Sequence, residues 1–129
     1  MNACRVEIVT HTEGKTSRVV AQGAVAFSCE RARVFYRTEE DETVFSFDEE
    51  GCAMERNGAV RLRMEFCPAR QTQLVLNEGG AGSVSIRTYR YERKINAQSM
   101  RLTLGYEVLY PHNRQRFLIK VNVHITEES

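Results

Sequence analysis

Five polar side chains that could bind a charged ligand occupy positions where strand alternation predicts apolar ones. Residues two apart on a strand point to the same face, and these five continue a face that apolar residues begin, as Thr88 and Arg90 do after Val84 and Ile86. An arginine turned inward needs a carboxylate or a bound anion, because an uncompensated buried charge costs about 3–5 kcal/mol. The alternative is that the polar heads lie in solvent at the strand ends. The pattern predicts a site for an anionic or amphipathic small molecule, formed by Arg56, Arg90, Tyr36, Thr88 and Tyr106.

A second group of residues has the opposite strand parity and is predicted to lie on the outer surface. Arginine can contact phosphate groups and tyrosine can stack on nucleobases, so such a strip is typical of single-stranded nucleic-acid binding. The alternative function is therefore a nucleic-acid or protein-interaction module. Its strip would consist of Arg61, Arg63, Arg87, Tyr89 and Tyr91.

No motif for catalysis or for cofactor binding stands out. The segment 14–16 reads Gly-Lys-Thr, but a phosphate-binding loop needs a glycine five residues earlier, where the chain has Val9. His11, His112 and His124 are far apart and show no spacing typical of a catalytic triad or of a metal site. The sequence thus favours a binding protein over an enzyme, with no cofactor and no metal.

The cysteines indicate a reducing compartment. Cys4, Cys29, Cys52 and Cys67 are irregularly spaced, with no Cys-x-x-Cys pair, and no secretory signal precedes them. We therefore expect four free thiols in a cytoplasmic protein. No apolar run approaches the roughly 20 residues of a membrane helix, so no membrane association is expected.

Charge is distributed unevenly along the chain. Seven acids and no bases lie in the two segments 39–42 and 48–50, whereas residues 56–120 contain twelve bases and four acids. Arginine outnumbers lysine fifteen to three, and the planar guanidinium suits carboxylate and phosphate partners. The simpler explanation is a charged outer face on an antiparallel sheet.

Alternating apolar and polar residues, interrupted by turn residues every eight to twelve positions, predict an all-β chain. At 129 residues it forms a single domain over residues 1–129. Short turns between successive strands favour an antiparallel up-and-down barrel of about eight to ten strands over a sandwich, which would leave exposed edges. The pair Asn57-Gly58 predicts a two-residue type I′ hairpin turn. The predicted strands span residues 4–12, 17–27, 33–38, 43–47, 52–56, 59–66, 73–76, 83–91, 100–110 and 115–126.

Several of these strands resemble one known family. The segment 54–60, Met-Glu-Arg-Asn-Gly-Ala-Val, is similar to the central part of the YwiB-like family of small bacterial proteins, and so are segments 82–88 and 102–106. The resemblance extends from about residue 6 to residue 125. It implies a calycin-like, lipocalin-like barrel, and it implies no activity, since the family is a domain of unknown function and a fold does not determine a function.

Overall fold

The computed structural model describes residues 1–76 and 83–127, and these form ten β-strands. The glycine-rich segment 79–82, predicted to be a hairpin loop, lies outside the described residues. The described part contains no helix. The strands are β1 (Asn2–Thr12), β2 (Lys15–Phe27), β3 (Ala32–Arg37), β4 (Glu42–Phe47), β5 (Cys52–Asn57), β6 (Leu62–Phe66), β7 (Thr72–Leu76), β8 (Ser83–Ile95), β9 (Ser99–Leu109) and β10 (Arg114–Glu127).

The ten strands form one closed antiparallel barrel in which each strand pairs with the next along the chain. The barrel is closed by β1, which pairs with β10 in a register that places Val6 opposite Val123. The up-and-down barrel predicted from the alternation is therefore confirmed. Its upper end carries the β1–β2, β3–β4, β5–β6 and β9–β10 turns, and its lower end carries the β2–β3, β4–β5, β6–β7 and β8–β9 turns.

The barrel interior is filled by one apolar cluster. Twenty-two apolar residues of the described part are buried, among them Phe45, Met54, Phe66 and Leu104. Every strand contributes to this cluster, or packs against it, through alternate residues, as the period of two requires. Burial of these side chains is the main favourable contribution to folding.

The two halves of the barrel differ in strand length. The strands β1, β2, β8, β9 and β10 have 11 to 14 residues, whereas β3 to β7 have five or six. The long strands consequently extend past the short ones. At the upper end β2 pairs with β1 from Lys15 to Val25, but with β3 only from Gly23 to Phe27.

The predicted type I′ turn at Asn57-Gly58 is wrong. Arg56 pairs with Leu62, so the β5–β6 connection is a five-residue loop, and neither central residue has positive φ. The two-residue turn lies instead at Glu13 and Gly14, with φ of 49° and 75°, between the paired residues Thr12 and Lys15. Positive φ at both central residues is what a type I′ turn requires.

A β-bulge in β8 overturns the predicted orientation of two residues. Thr88 pairs with Tyr106 and Arg90 with Gly105, so Tyr89 is an extra residue without an opposite partner. One extra residue shifts the alternation by one position. After the bulge Arg90 points outward and is exposed, whereas Tyr91 turns inward and is partly buried against the core.

Candidate ligand-binding site

Two of the predicted site residues, Tyr36 and Arg56, lie at the upper end of the barrel, in the opening that we call the upper mouth, and a third lies deeper in the interior. Tyr36 is buried on β3 and its ring stacks on Phe45, with centroids 6.3 Å apart. Arg56 is half-buried on β5, and Thr43 on β4 lies between the two in the strand register. The third residue, Tyr106 on β9, is buried between the rings of Phe66 and Phe117.

The charge of Arg56 acts on Tyr106 across the mouth. Burial raises the pKa of the Tyr106 phenol, and the nearby Arg56 guanidinium opposes part of that increase. Within residues 1–76 and 83–127, no carboxylate forms an ion pair with Arg56. The inward direction predicted for Arg56 is therefore observed, but the carboxylate partner is not found in the described part.

Thr88 adds a buried hydroxyl beside this pair. It lies opposite Tyr106 in the register, and its Oγ1 atom is buried without a hydrogen-bond partner in the described structure. Such groups are rare in native proteins, because desolvation of the hydroxyl is not compensated. The structure therefore brings Arg56 and Tyr36 to the upper end of the barrel and places Thr88 opposite Tyr106 in the interior, and it excludes Arg90, whose guanidinium pairs with Glu92 at 2.9 Å on the outer face.

The predicted outer strip does not form one surface. Arg63 is bound by Glu55 and Glu65, so its charge is compensated. Tyr91 points into the barrel. Tyr89 lies flat over Gly105, its hydroxyl donates to the carbonyl of Phe117 at 3.1 Å, and Arg116 covers its ring.

A cavity of about 800 Å³ opens at the lower end, where sequence reasoning placed no site. Phe27, Phe47 and Phe66 line it, and each is the last residue of its strand, on β2, β4 and β6. Cys52 and Thr72 add buried side chains to the same lining. We call this cavity the aromatic groove. Its volume is typical of small-molecule sites, which are mostly apolar and range from about 300 to 1,000 Å³.

Charged residues surround the apolar part of the aromatic groove. Arg70 lies 3.8 Å from Glu65, and Arg33 stacks over Phe35, with its Cζ atom 5.1 Å from the ring centroid. Arg31 is exposed and forms no ion pair with any residue of the described part. Its guanidinium is therefore the cation of the rim most accessible to an anionic ligand.

Hydrogen bonds fix the wall of the groove that is formed by the β4–β5 turn. The Asp48 carboxylate accepts hydrogen bonds from the backbone N–H groups of Glu50 and Gly51, at 2.8 and 3.1 Å. The Tyr91 hydroxyl lies 2.5 Å from the carbonyl of Asp48 and 2.7 Å from that of Gly51. Since Tyr91 belongs to β8, it ties this turn to the long-stranded half of the barrel. The wall is thus formed before any ligand binds.

The groove has no feature of a reactive or metal-binding centre. Burial raises the pKa of the Cys52 thiol, which keeps it protonated and unreactive near neutral pH. Across the described ranges, no three His, Cys, Asp or Glu side chains come together in a way that could hold a metal ion. All four cysteines are free, as predicted. The arrangement can bind a ligand, and we assign no reaction to it.

The closed meander of ten antiparallel strands defines the protein as a calycin-like barrel. The chain belongs to the family described as "Domain of unknown function (DUF1934)", whose sequence profile matches residues 4–122. It is similar to the crystal structure of the ywiB protein from Bacillus subtilis, with a TM-score of 0.75, 14% identity, and coverage of 95% of this chain and 89% of that chain. The resemblance to YwiB-like proteins is thereby confirmed, and at this identity it concerns the fold alone.

A second solved structure is more distant. The S-type phycobiliprotein lyase CPES from Guillardia theta aligns with a TM-score of 0.44 and 7% identity, over 100% of this chain and 89% of that one. A score this low does not establish a common fold. No curated protein matches the sequence. No helix in the described residues is long and apolar enough to cross a membrane.

Proposed function

We propose that this protein binds a small amphipathic ligand with an anionic head, and that it does so in the aromatic groove. The observation that carries the proposal is a cavity of about 800 Å³ lined by three phenylalanines that end alternate strands. Aromatic side chains bury large apolar areas and prefer flat, apolar partners. The apolar body of the ligand would pack on Phe27, Phe47 and Phe66.

The rim of the groove determines the polarity of the ligand. Glu65 is engaged by Arg63 and by Arg70, and the Asp48 carboxylate accepts two backbone hydrogen bonds. Arg31 and Arg33 form no ion pair in the described part, and neither does Glu50 on the same rim. Guanidinium groups form strong, charge-assisted hydrogen bonds with carboxylate, sulfonate and phosphate oxygens. We place the anionic head near Arg31, because that side chain is exposed whereas Arg33 stacks over Phe35.

The upper mouth is the second place where a ligand of this class could bind. Arg56 supplies a half-buried cation and Tyr36 a hydroxyl group, and the Tyr106 phenol lies close enough to be influenced by the Arg56 charge. We rank the upper mouth below the aromatic groove because apolar side chains already fill the barrel interior next to the upper mouth. In either mouth the ligand would be a cytoplasmic small molecule, since we expect four free thiols to persist in that compartment.

The proposal can be tested with the fluorescent anion 1-anilinonaphthalene-8-sulfonate, which combines an apolar aromatic body with a sulfonate. We expect saturable binding to the folded wild type. Arg31→Gln should weaken it about tenfold, which corresponds to about 1.4 kcal/mol. The matched control is Arg37→Gln, an exposed arginine at the upper end that pairs with Glu42, and this change should leave the affinity unaltered.

A third variant, Arg56→Gln, distinguishes the two mouths. If it weakens binding and Arg31→Gln does not, the ligand occupies the upper mouth and the groove is excluded. Absence of saturable binding to the folded wild type would contradict ligand binding by this probe class at both ends. Circular dichroism of each variant checks that the barrel is intact.

A further inference from the structure

The β2 strand carries a free edge at the upper end of the barrel. From Lys15 to Gln22 it pairs with β1 on one side, and no strand of the described part pairs with it on the other side. Every residue from Lys15 to Val20 is exposed, including Val19 at 40% and Val20 at 47%. Both faces and one edge of this segment are therefore open to solvent.

The backbone groups on this edge can be identified from the register. Lys15 and Thr12 flank a two-residue turn and form its hydrogen-bonded pair, so odd-numbered residues of β2 direct their backbone groups toward β1. The even-numbered residues direct their N–H and C=O groups to the free side. The unpaired groups are those of Thr16, Arg18 and Val20, whereas Gln22 lies where the ladder with β3 begins.

Natural sheets protect such edges, and β8 shows how this protein does so elsewhere. Beyond Ile86, β8 also has no strand partner on its β7 side in the described part. That edge carries the cations Arg87, Arg90, Arg93 and Lys94, and the β4–β5 turn is attached to it through Tyr91. The β2 edge has no such protection, since residues 16–22 contain one charge, Arg18, which is paired with Glu7.

We propose that the β2 edge is the interface of a homodimer, in which β2 of a second copy pairs antiparallel with it across a two-fold axis. Such an interface is isologous, so the same edge serves both copies. The sequence is self-complementary in one register, centred on Val19. That register sets Val19 against its own copy, Arg18 against Val20, Ser17 against Ala21 and Thr16 against Gln22.

Neighbouring registers are worse. Centring the pair on Arg18 would place two arginines directly opposite each other, which is destabilising. Centring it on Val20 would require a partner for Gly23, which already pairs with Tyr36 of β3. The register centred on Val19 pairs Arg18 of each copy with Val20 of the other and forms about four backbone hydrogen bonds from groups that now face solvent.

Charge favours a second copy as the occupant. In this register Lys15 of the second copy arrives where β3 ends at Arg37 and the acidic β3–β4 turn begins. Glu39 and Glu40 on that turn are exposed and form no ion pair in the described part of the chain. The two-fold axis repeats this complementarity at both ends of the paired strands.

Sedimentation equilibrium across a concentration series tests the proposal. The wild type should approach a mass twice that of one chain, and Val19→Lys, which places two ammonium groups opposite each other, should remain at the mass of one chain. Val60→Lys is the matched control, because Val60 is 49% exposed on the β5–β6 loop; it should behave as the wild type. A monomeric wild type, or a dimer that persists in folded Val19→Lys, would overturn the proposal.

Disulfide cross-linking tests which residues of the two copies lie opposite each other. In a Cys29→Ser background, which removes the exposed native thiol, Val19→Cys should form a disulfide-linked dimer when glutathione disulfide oxidises the two thiols. Residues of a non-hydrogen-bonded pair have Cα atoms about 4.5 Å apart, within the disulfide range. Val60→Cys in the same background should stay unlinked, and equal linking of both variants would exclude this register.

Discussion

At the scale of single residues, two buried threonines have opposite hydrogen-bonding states. Thr72 is 3% exposed and its hydroxyl donates to the carbonyl of Glu65, whereas Thr88 is 6% exposed and its hydroxyl has no partner in the described part. The same side chain is thus compensated at the start of β7 and uncompensated on the neighbouring strand β8. Replacing each threonine by valine, which has the same shape but no hydroxyl, distinguishes the two cases.

We expect Thr88→Val to raise the free energy of unfolding by about 1 kcal/mol, because it removes an uncompensated buried hydroxyl. Thr72→Val should lower it by about 1–2 kcal/mol, because it breaks a hydrogen bond and leaves a carbonyl without that donor. Urea denaturation of both variants and the wild type measures the two values. A loss of stability in Thr88→Val would show that its hydroxyl has a partner in solution.

At the scale of elements, the bulge at Tyr89 depends on the residue opposite it. Gly105 on β9 has no side chain, and the Tyr89 ring occupies the space that a Cβ would need, with a ring atom 2.5 Å from that position. Arg116 covers the other face of the ring at 4.2 Å. The ring therefore covers a glycine within a paired strand, an arrangement that compensates for the missing side chain.

Gly105→Ala should lower the free energy of unfolding by about 1–3 kcal/mol, because the new methyl group forces the Tyr89 ring aside. In a Tyr89→Ala background the same change should cost much less, because the ring is gone and the Arg90 Cβ, 3.0 Å from the methyl position, is the remaining tight neighbour. The double-mutant cycle, measured by urea denaturation, isolates the clash. If Gly105→Ala lowers the free energy of unfolding equally in both backgrounds, the loss comes from the backbone of β9 and not from the Tyr89 ring.

The bulge also shows where sequence reasoning ends. Alternation predicted the strands and the barrel, because a period of two is imposed by the backbone itself. Alternation wrongly placed Arg90 inside and Tyr91 outside. The extra residue at Tyr89 depends on a contact with Gly105 on a different strand, and alternation along a single strand does not reveal such a contact. The turn at Asn57-Gly58 failed for a similar reason, since the paired strands set a five-residue loop that overrides the local preference.

The candidate site was predicted only in part, for the same physical reason. Arg56 and Tyr36 meet at the upper end, and Tyr106 shares the interior with them, because residues of equal parity converge inside a closed barrel. The aromatic groove depends on three turns that the chain brings together, and no single segment shows it. The available signal was a phenylalanine at the last position of β2, β4 and β6, which becomes informative once the strand ends are known.

At the scale of the whole molecule, thiol and phenol groups in or against the core link stability to pH, among them one cysteine and two tyrosines. Burial raises the pKa of the Cys52 thiol and of the Tyr91 and Tyr106 phenols above their ordinary values. The folded state thus favours their neutral forms. This contribution to stability is complete below the ordinary pKa values, near 9 for the thiol and 10 for the phenols, and is lost as the pH rises toward the folded values.

We therefore expect the free energy of unfolding to fall from about pH 9 upward, by about 1.4 kcal/mol per pH unit for each group that ionises only in the unfolded chain. Urea denaturation at a series of alkaline pH values measures the slope. Tyr91→Phe and Tyr106→Phe should each reduce the slope above pH 10. A slope unchanged by both variants would show that neither phenol is buried in its neutral form.

The seam between β1 and β10 imposes an order of events on folding. Nine of the ten strand pairs join neighbours in the chain and can form as soon as both strands exist, but Val6 meets Val123 only after nearly the whole chain has left the ribosome. Bringing such distant segments together carries a large loop-closure entropy and slows folding. During synthesis β1 must therefore wait with one side unpaired, and the nascent chain remains an open sheet, exposed to aggregation and chaperone binding, until its last strand closes the barrel.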